Sequence, residues 1–230
     1  MELPRPTWDE FSRAFRNRWK QGEHVFINGQ TGSGKTDLLL RLCDMRTYSM
    51  VCVTKPRDEI FKSPLARPYR KINRFPNPPR VTDRRLMLSA KRGDSARKMV
   101  GDQADIFGEA FDAIFARGGY TVGCDETLWI GGRLRLGAPL GDLSFLGRAL
   151  GITMISATQR PAHIPVIIPQ SATHAFISKT GRKGDLDTLG ELGGDVRATR
   201  EAIASLRDKH EFLYVDTDGK MPLQVVNTHR

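Results

Sequence analysis

The chain has 230 residues, 39% hydrophobic and 27% charged, with a net charge of +10. That length and composition suit one α/β domain of a soluble globular protein, with room for a small insertion. No apolar run approaches a membrane span and no signal-peptide core opens the sequence, so a cytoplasmic location is expected.

The three cysteines, Cys43, Cys52 and Cys124, form neither a C-x-x-C pair nor a metal-ligand spacing, and read as buried free thiols. The five histidines are scattered, and none is assigned to a metal.

Thr7 stands three residues before Glu10, the spacing of a helix-capping box. Trp8, Phe11, Phe15 and Trp19 then recur at helical spacing, with Arg13, Arg16, Arg18 and Lys20 on the other faces. Residues 1–22 are read as an amphipathic helix packed on the core, with a membrane-surface helix as the alternative. His24 to Asn28 is short, apolar and partly β-branched, which predicts a strand, and Asp37 to Leu42 predicts a helix.

Between them lies Gly29-Gln30-Thr31-Gly32-Ser33-Gly34-Lys35-Thr36, a full G-x-x-x-x-G-K-[ST] P-loop at the strand-to-helix turn that confirms the motif. Its glycines let backbone N–H groups wrap a polyphosphate, and the helix N-terminus adds its positive dipole end. Lys35 is expected to reach the β- and γ-phosphates and the Thr36 hydroxyl to ligate Mg²⁺, which makes ATP and Mg²⁺ the expected ligands.

Ser49 to Thr54 predicts the next strand. From Lys55 to Lys98 there are 14 Lys/Arg against four Asp/Glu, so the whole net charge falls in this stretch, with six of the 13 prolines. It reads as an irregular basic surface inserted at about 55–98, with one strand within it at Arg85 to Ser89. Phosphate backbones, double-stranded DNA above all, are the partner such a surface suits; a plain solvated face is the alternative.

Ser95 to Arg117 predicts a helix ended by Gly118-Gly119, and Tyr120 to Cys124 a strand. A helix at Leu140 to Leu150 and a strand at Ile152 to Ala157 follow. Ala175 to Ser178 and Phe212 to Val215 read as the last two core strands, with helices at Asp185 to Leu192 and Val196 to Leu206 between them. Alternating strands and helices imply a mostly parallel sheet with helices on both faces, a P-loop NTPase domain over 23–230.

Asp125 and Glu126 follow a buried strand about ninety residues after the P-loop. Ligands of parallel sheets bind at the strands' carboxyl ends. Asp125 is therefore expected to face the Mg²⁺ held by Thr36, and Glu126 to act as the base toward the attacking water. Gln159 ends a later strand, where an amide can contact water or phosphate; a loop glutamine before the turn residue Pro161 is the alternative.

The stretch Arg148-Ala149-Leu150-Gly151-Ile152-Thr153-Met154-Ile155-Ser156-Ala157-Thr158-Gln159-Arg160-Pro161 resembles the signature of the FtsK–HerA superfamily of DNA-pumping ATPases. The resemblance runs from the P-loop strand to about Val215 and implies a RecA-like fold. It implies that Gln159 senses the γ-phosphate and that Arg148, eleven residues earlier, enters the neighbouring subunit's ATP site as an arginine finger.

The chain shows neither the membrane anchor nor the DNA-orienting end domain of the large cellular translocases, so a compact viral or prophage genome-packaging motor is expected. Such a motor would be a pentameric or hexameric ring acting on double-stranded DNA, recruited by a portal or membrane partner, in the host cytoplasm or at a virion vertex. An assembly or secretion ATPase that moves protein or filamentous virions is the alternative. A small-molecule kinase is disfavoured, because kinases of this fold generally need neither the second carboxylate nor the glutamine.

Overall fold

The computed structural model describes residues 3–55, 58–91 and 93–228. Pro56, Arg57 and Arg92 of the basic stretch lie outside the described residues.

Short apolar runs become strands here because both of their faces are covered. The strands are β1 (His24–Asn28), β2 (Ser49–Cys52), β3 (Arg70–Ile72), β4 (Arg85–Leu88), β5 (Thr121–Cys124), β6 (Thr153–Thr158), β7 (Ala172–Ser178), β8 (Glu211–Asp216) and β9 (Gln224–Asn227). They form one sheet in the order β3-β4-β2-β5-β6-β1-β7-β8-β9. Every pairing from β3 to β7 is parallel, whereas β7–β8 and β8–β9 are antiparallel. This is the mostly parallel α/β sheet of a P-loop NTPase, with β6 between the P-loop strand β1 and the carboxylate strand β5.

Period-two alternation splits the core between two layers. Val25, Ile27, Val51 and Ile155 face one side, against Phe11 and Phe15 of α1 (Trp8–Arg18) and Leu38, Leu39 and Leu42 of α2 (Lys35–Asp44). Phe26, Met50 and Met154 face the other. That layer holds α3 (Ala96–Arg117), α4 (Gly137–Leu146), α5 (Ile167–Gln170), α6 (Lys183–Gly190) and α7 (Val196–Ala204), with Phe107, Phe111, Leu140, Ile168, Leu189 and Ile203 buried.

The Thr7 capping box forms: the Glu10 N–H donates to Thr7 Oγ1 at 3.3 Å, and the Thr7 N–H to Glu10 Oε2 at 2.9 Å. Phe11 and Phe15 pack edge-on against Phe176 and Tyr214, so the apolar face of α1 is covered by the sheet rather than offered to a membrane. No helix among the described residues is long and apolar enough to cross a membrane.

The basic stretch is less irregular than its composition implies. It supplies two parallel strands, β3 and β4, and it buries Ile60, Tyr69, Phe75, Leu86, Met87 and Leu88. Its apolar residues face inward between outward-facing Lys and Arg, and a charge count averages over both sets. β3 is the sheet edge and reads Arg-Lys-Ile, with the charges a solvated edge strand carries. β9, the other edge, follows the strand at Phe212 to Val215 that the sequence suggests as the last.

Candidate active site

The site forms at the carboxyl ends of β1, β5 and β6. The P-loop leaves β1 and turns into α2. Gly32 and Gly34 adopt φ of +79° and +84°, the left-handed region where a side chain is strained, and Gly34 caps the helix. A Cβ at Gly29 would strike the Ser33 hydroxyl and come within 2.9 Å of Lys35 Cγ, so the loop closes on itself only with glycine there. The Ser33 hydroxyl is buried and has no hydrogen-bond partner. Lys35 Nζ donates to the Gln30 carbonyl at 3.1 Å across the loop. An orphaned hydroxyl, a buried ammonium and a glycine-lined helix N-terminus make a donor set that fits a polyphosphate.

Thr36 Oγ1 donates to Asp125 Oδ1 at 2.8 Å, which brings the two expected Mg²⁺ ligands together. Burial raises the Asp125 pKa, and the Thr36 hydrogen bond and Lys35 oppose it. Burial lowers the Lys35 pKa, and Asp125 and Glu126 oppose that. Each buried charge thus offsets part of what burial costs the other, and between them the carboxylate and the ammonium suit a divalent cation and an anionic chain.

Glu126 is gripped from two sides. Gln159 Nε2 donates to Glu126 Oε1 at 3.0 Å, and Gln159 Oε1 accepts from Thr31 Oγ1 of the P-loop at 3.1 Å. The glutamine therefore bridges the phosphate loop and the carboxylate. On the other side, Lys55 Nζ lies 3.6 Å from the same Glu126 oxygen. Sequence reasoning places Lys55 in the basic stretch but not at this site. The link depends on β2 lying next to β5, with Cys52 opposite Cys124, which is a matter of strand order. Buried Gln103 of α3 steadies both ends of this pair: it donates to the Thr54 carbonyl and accepts from Trp129 Nε1 at 3.0 Å.

Arg148 is not part of this cluster. It lies in the 3₁₀ turn Gly147–Leu150, at the amino end of β6, and a Cβ at Gly22 ahead of β1 would approach its carbonyl to 2.8 Å. The P-loop and Gln159 are at the opposite ends of those strands. Six residues of β6 at about 3.3 Å each separate the two ends by roughly 20 Å, beyond the reach of an arginine side chain. The guanidinium is exposed and makes no ion pair among the described residues.

No protein-family model and no curated protein matches the sequence. Solved structures do. The genome packaging NTPase B204 from Sulfolobus turreted icosahedral virus 2, in complex with AMPPCP, superposes with a TM-score of 0.60 at 13% identity, over 89% of this chain and 97% of that one. VirB4 of Thermoanaerobacter pseudethanolicus gives a TM-score of 0.63 at 11% identity over 88% of each chain. The pCW3 conjugation coupling protein TcpA, with ATPγS, gives 0.52 at 16% identity over 89% of this chain and 59% of that one. The chain thus shares the P-loop ATPase fold of these proteins, the fold that its resemblance to the FtsK–HerA superfamily leads one to expect.

Proposed function

We propose that this chain is an ATP-hydrolysing motor of the FtsK–HerA type that moves double-stranded DNA as a ring of identical subunits, as a viral genome-packaging ATPase does. The observation that carries the reading is the chain of contacts from the P-loop Thr31 through Gln159 to Glu126, beside the Thr36–Asp125 pair. It links phosphate binding to a base and a metal site in one cluster. Likeness to the packaging NTPase B204 supports the reading.

In this mechanism the P-loop backbone and Lys35 hold the β- and γ-phosphates, and Thr36 and Asp125 hold Mg²⁺. That ion, when bound, neutralises charge on the phosphate oxygens. Glu126 takes the proton of the attacking water, and Gln159 registers the γ-phosphate through its contact with Thr31. Arg148 acts on the next subunit's site.

Lys55 gives a way for DNA to reach the chemistry. Its ammonium sits on the oxygen that must accept a proton, and its side chain is 62% exposed at the start of the basic stretch. Phosphates that draw Lys55 away would free Glu126. A partly exposed pair is worth about 0.2–1 kcal/mol, or roughly 1.4- to five-fold in rate. Lys55→Ala should therefore raise DNA-free phosphate release by about that factor and shrink stimulation by duplex. Unchanged basal release in this variant would show that the pair does not restrain the base.

An assembly or secretion ATPase would use the same site without needing the basic surface. The structure sharpens which cations test this. Arg70 is paired with Asp83, Arg74 with Glu109 and Arg85 with Asp44. Arg80, Arg84, Arg97 and Lys98 are exposed and in no ion pair among the described residues. Neutralising Arg80/Arg84 or Arg97/Lys98 should weaken duplex binding on every sequence alike. It should also flatten the plot of log affinity against log salt by about 0.9 for each DNA phosphate that no longer has its cation. Fluorescence anisotropy with labelled duplex at stepped salt reads both. Unchanged affinity in both double variants would make the stretch a solvated face and favour the protein-moving motor.

A further inference from the structure

The basic stretch leaves the core and returns to it beside the same buried side chain. Thr54 stands immediately before the stretch, and α3 starts inside its far end. The last pairing of β2 with β5 is Cys52 opposite Cys124, and the Val53 N–H then turns to the Leu88 carbonyl of β4 at 2.9 Å. Past that point Thr54 and Lys55 are tied to the carboxylate side of the sheet by side chains. Lys55 Nζ lies 3.6 Å from Glu126 Oε1, and the Gln103 amide donates to the Thr54 carbonyl.

The other end of the same amide reaches the Glu126 segment. Gln103 Oε1 accepts from Trp129 Nε1 at 3.0 Å. Trp129 belongs to the turn that starts at Glu126, where the Ile130 N–H donates to the Glu126 carbonyl at 3.1 Å. One side chain therefore touches the backbone just before Lys55 and the ring just after Glu126, and so sets the spacing of the two charged groups from behind. Gln103 is 2% exposed. Packing alone would be served there by a leucine, since a buried amide costs stability unless its hydrogen bonds are made.

The turn that Gln103 grips is an irregular one. Trp129–Arg133 is a π turn, with the Leu134 N–H donating to the Trp129 carbonyl at 3.0 Å. Arg135, just beyond, has a φ of +58° and is the one non-glycine residue with positive φ among the described residues. π turns occur mostly at functional sites, and a left-handed non-glycine residue is held there by its surroundings. On the other side, the exposed Arg97 and Lys98 stand about one and a half turns before Gln103 on α3. Cations of the basic stretch and the segment that carries the base thus meet at one amide.

We infer that Gln103 is a positioning residue that couples the basic stretch to the base. It keeps Lys55 against Glu126 while the stretch is empty, and it passes a shift of Thr54 or of α3 to the turn that follows Glu126. It touches no reacting group and acts through Lys55 and Trp129. The inference rests on the ATPase reading and on the restraint of Glu126 by Lys55.

The test is a double-mutant cycle on the full chain, read by steady-state phosphate release with and without saturating duplex. Gln103→Leu should raise the DNA-free kcat by the same roughly 1.4- to five-fold as Lys55→Ala and leave KM for ATP unchanged. The double variant should rise no further, because both substitutions remove one restraint. Duplex affinity of Gln103→Leu, by anisotropy, should stay within about twofold of the parent while stimulation by duplex shrinks, a split that lost stability alone does not produce. Trp129→Phe keeps an aromatic ring and removes only the indole N–H. It should raise DNA-free release by a smaller factor, and only where Lys55 is present, which keeps the test available if Gln103→Leu does not fold. Factors for Gln103→Leu and Lys55→Ala that multiply in the double variant overturn the inference. So do unchanged release and stimulation in Gln103→Leu and Trp129→Phe, which would leave Gln103 a satisfied buried amide and nothing more. No effect of Lys55→Ala itself overturns the inference together with the Lys55 restraint and leaves the ATPase reading intact. No phosphate release by the parent overturns the ATPase reading as well.

Discussion

Glu126→Gln should bind ATP as the parent does and release phosphate about 10²–10⁴-fold more slowly, the usual contribution of a positioned general base. The amide cannot take the water's proton. It can still accept the Gln159 hydrogen bond that now reaches Glu126 Oε1 at 3.0 Å, so the site keeps its shape. Lys35→Ala is the contrasting variant. It removes the ammonium that crosses the P-loop to the Gln30 carbonyl, and nucleotide binding itself should fail. Anisotropy of a labelled ATP analogue separates binding from turnover in both. Full turnover by Glu126→Gln would sink the base assignment and send the search to another proton acceptor.

Arg148→Ala should keep nucleotide binding and lose about 10³–10⁵ in hydrolysis if its guanidinium works as a finger. The structure makes a role within one subunit untenable, because Arg148 lies at the amino end of β6 and the P-loop and Gln159 at the carboxyl ends. Pairing with Asp142, the plainer explanation of an arginine at a helix end, is not seen among the described residues, and Arg148 joins no ion pair there. The decisive form of the experiment is mixing. Arg148→Ala and Glu126→Gln subunits are each expected to be inactive alone. In a mixed ring some interfaces join an intact Glu126 to an intact Arg148 from the neighbour, and part of the activity should return. Independent monomers cannot show this. No recovery in mixtures shown to co-assemble would remove the trans role and leave the ATPase reading standing.

The P-loop, Asp125, Glu126 and Gln159 are legible in the sequence because each is a local signal: a polar motif at the end of an apolar strand. Their meeting follows from one rule, that parallel strands gather their carboxyl ends. What the sequence conceals is set by strand order. Lys55 touches Glu126 only because β2 lies beside β5, and nothing between residues 55 and 126 announces that pairing. Edge strands are also hard to read. β3 is Arg-Lys-Ile and only half covered, so it shows neither the apolar run of a buried strand nor clean alternation. In the basic stretch, net charge hides Leu86, Met87 and Leu88, whose full burial makes β4 part of the core. The two central glycines of the P-loop are the opposite case, since a positive φ at Gly32 and Gly34 is what the motif itself demands.

If hydrolysis at this site is coupled to duplex DNA, the ATPase rate with and without duplex at low and at moderate salt shows it most directly. A DNA motor gives a rate that rises on adding duplex at low salt, with the stimulation fading as salt displaces the phosphate contacts. A steady ATPase rate that duplex leaves unchanged at low salt would contradict the DNA motor and leave a protein-moving ATPase in its place.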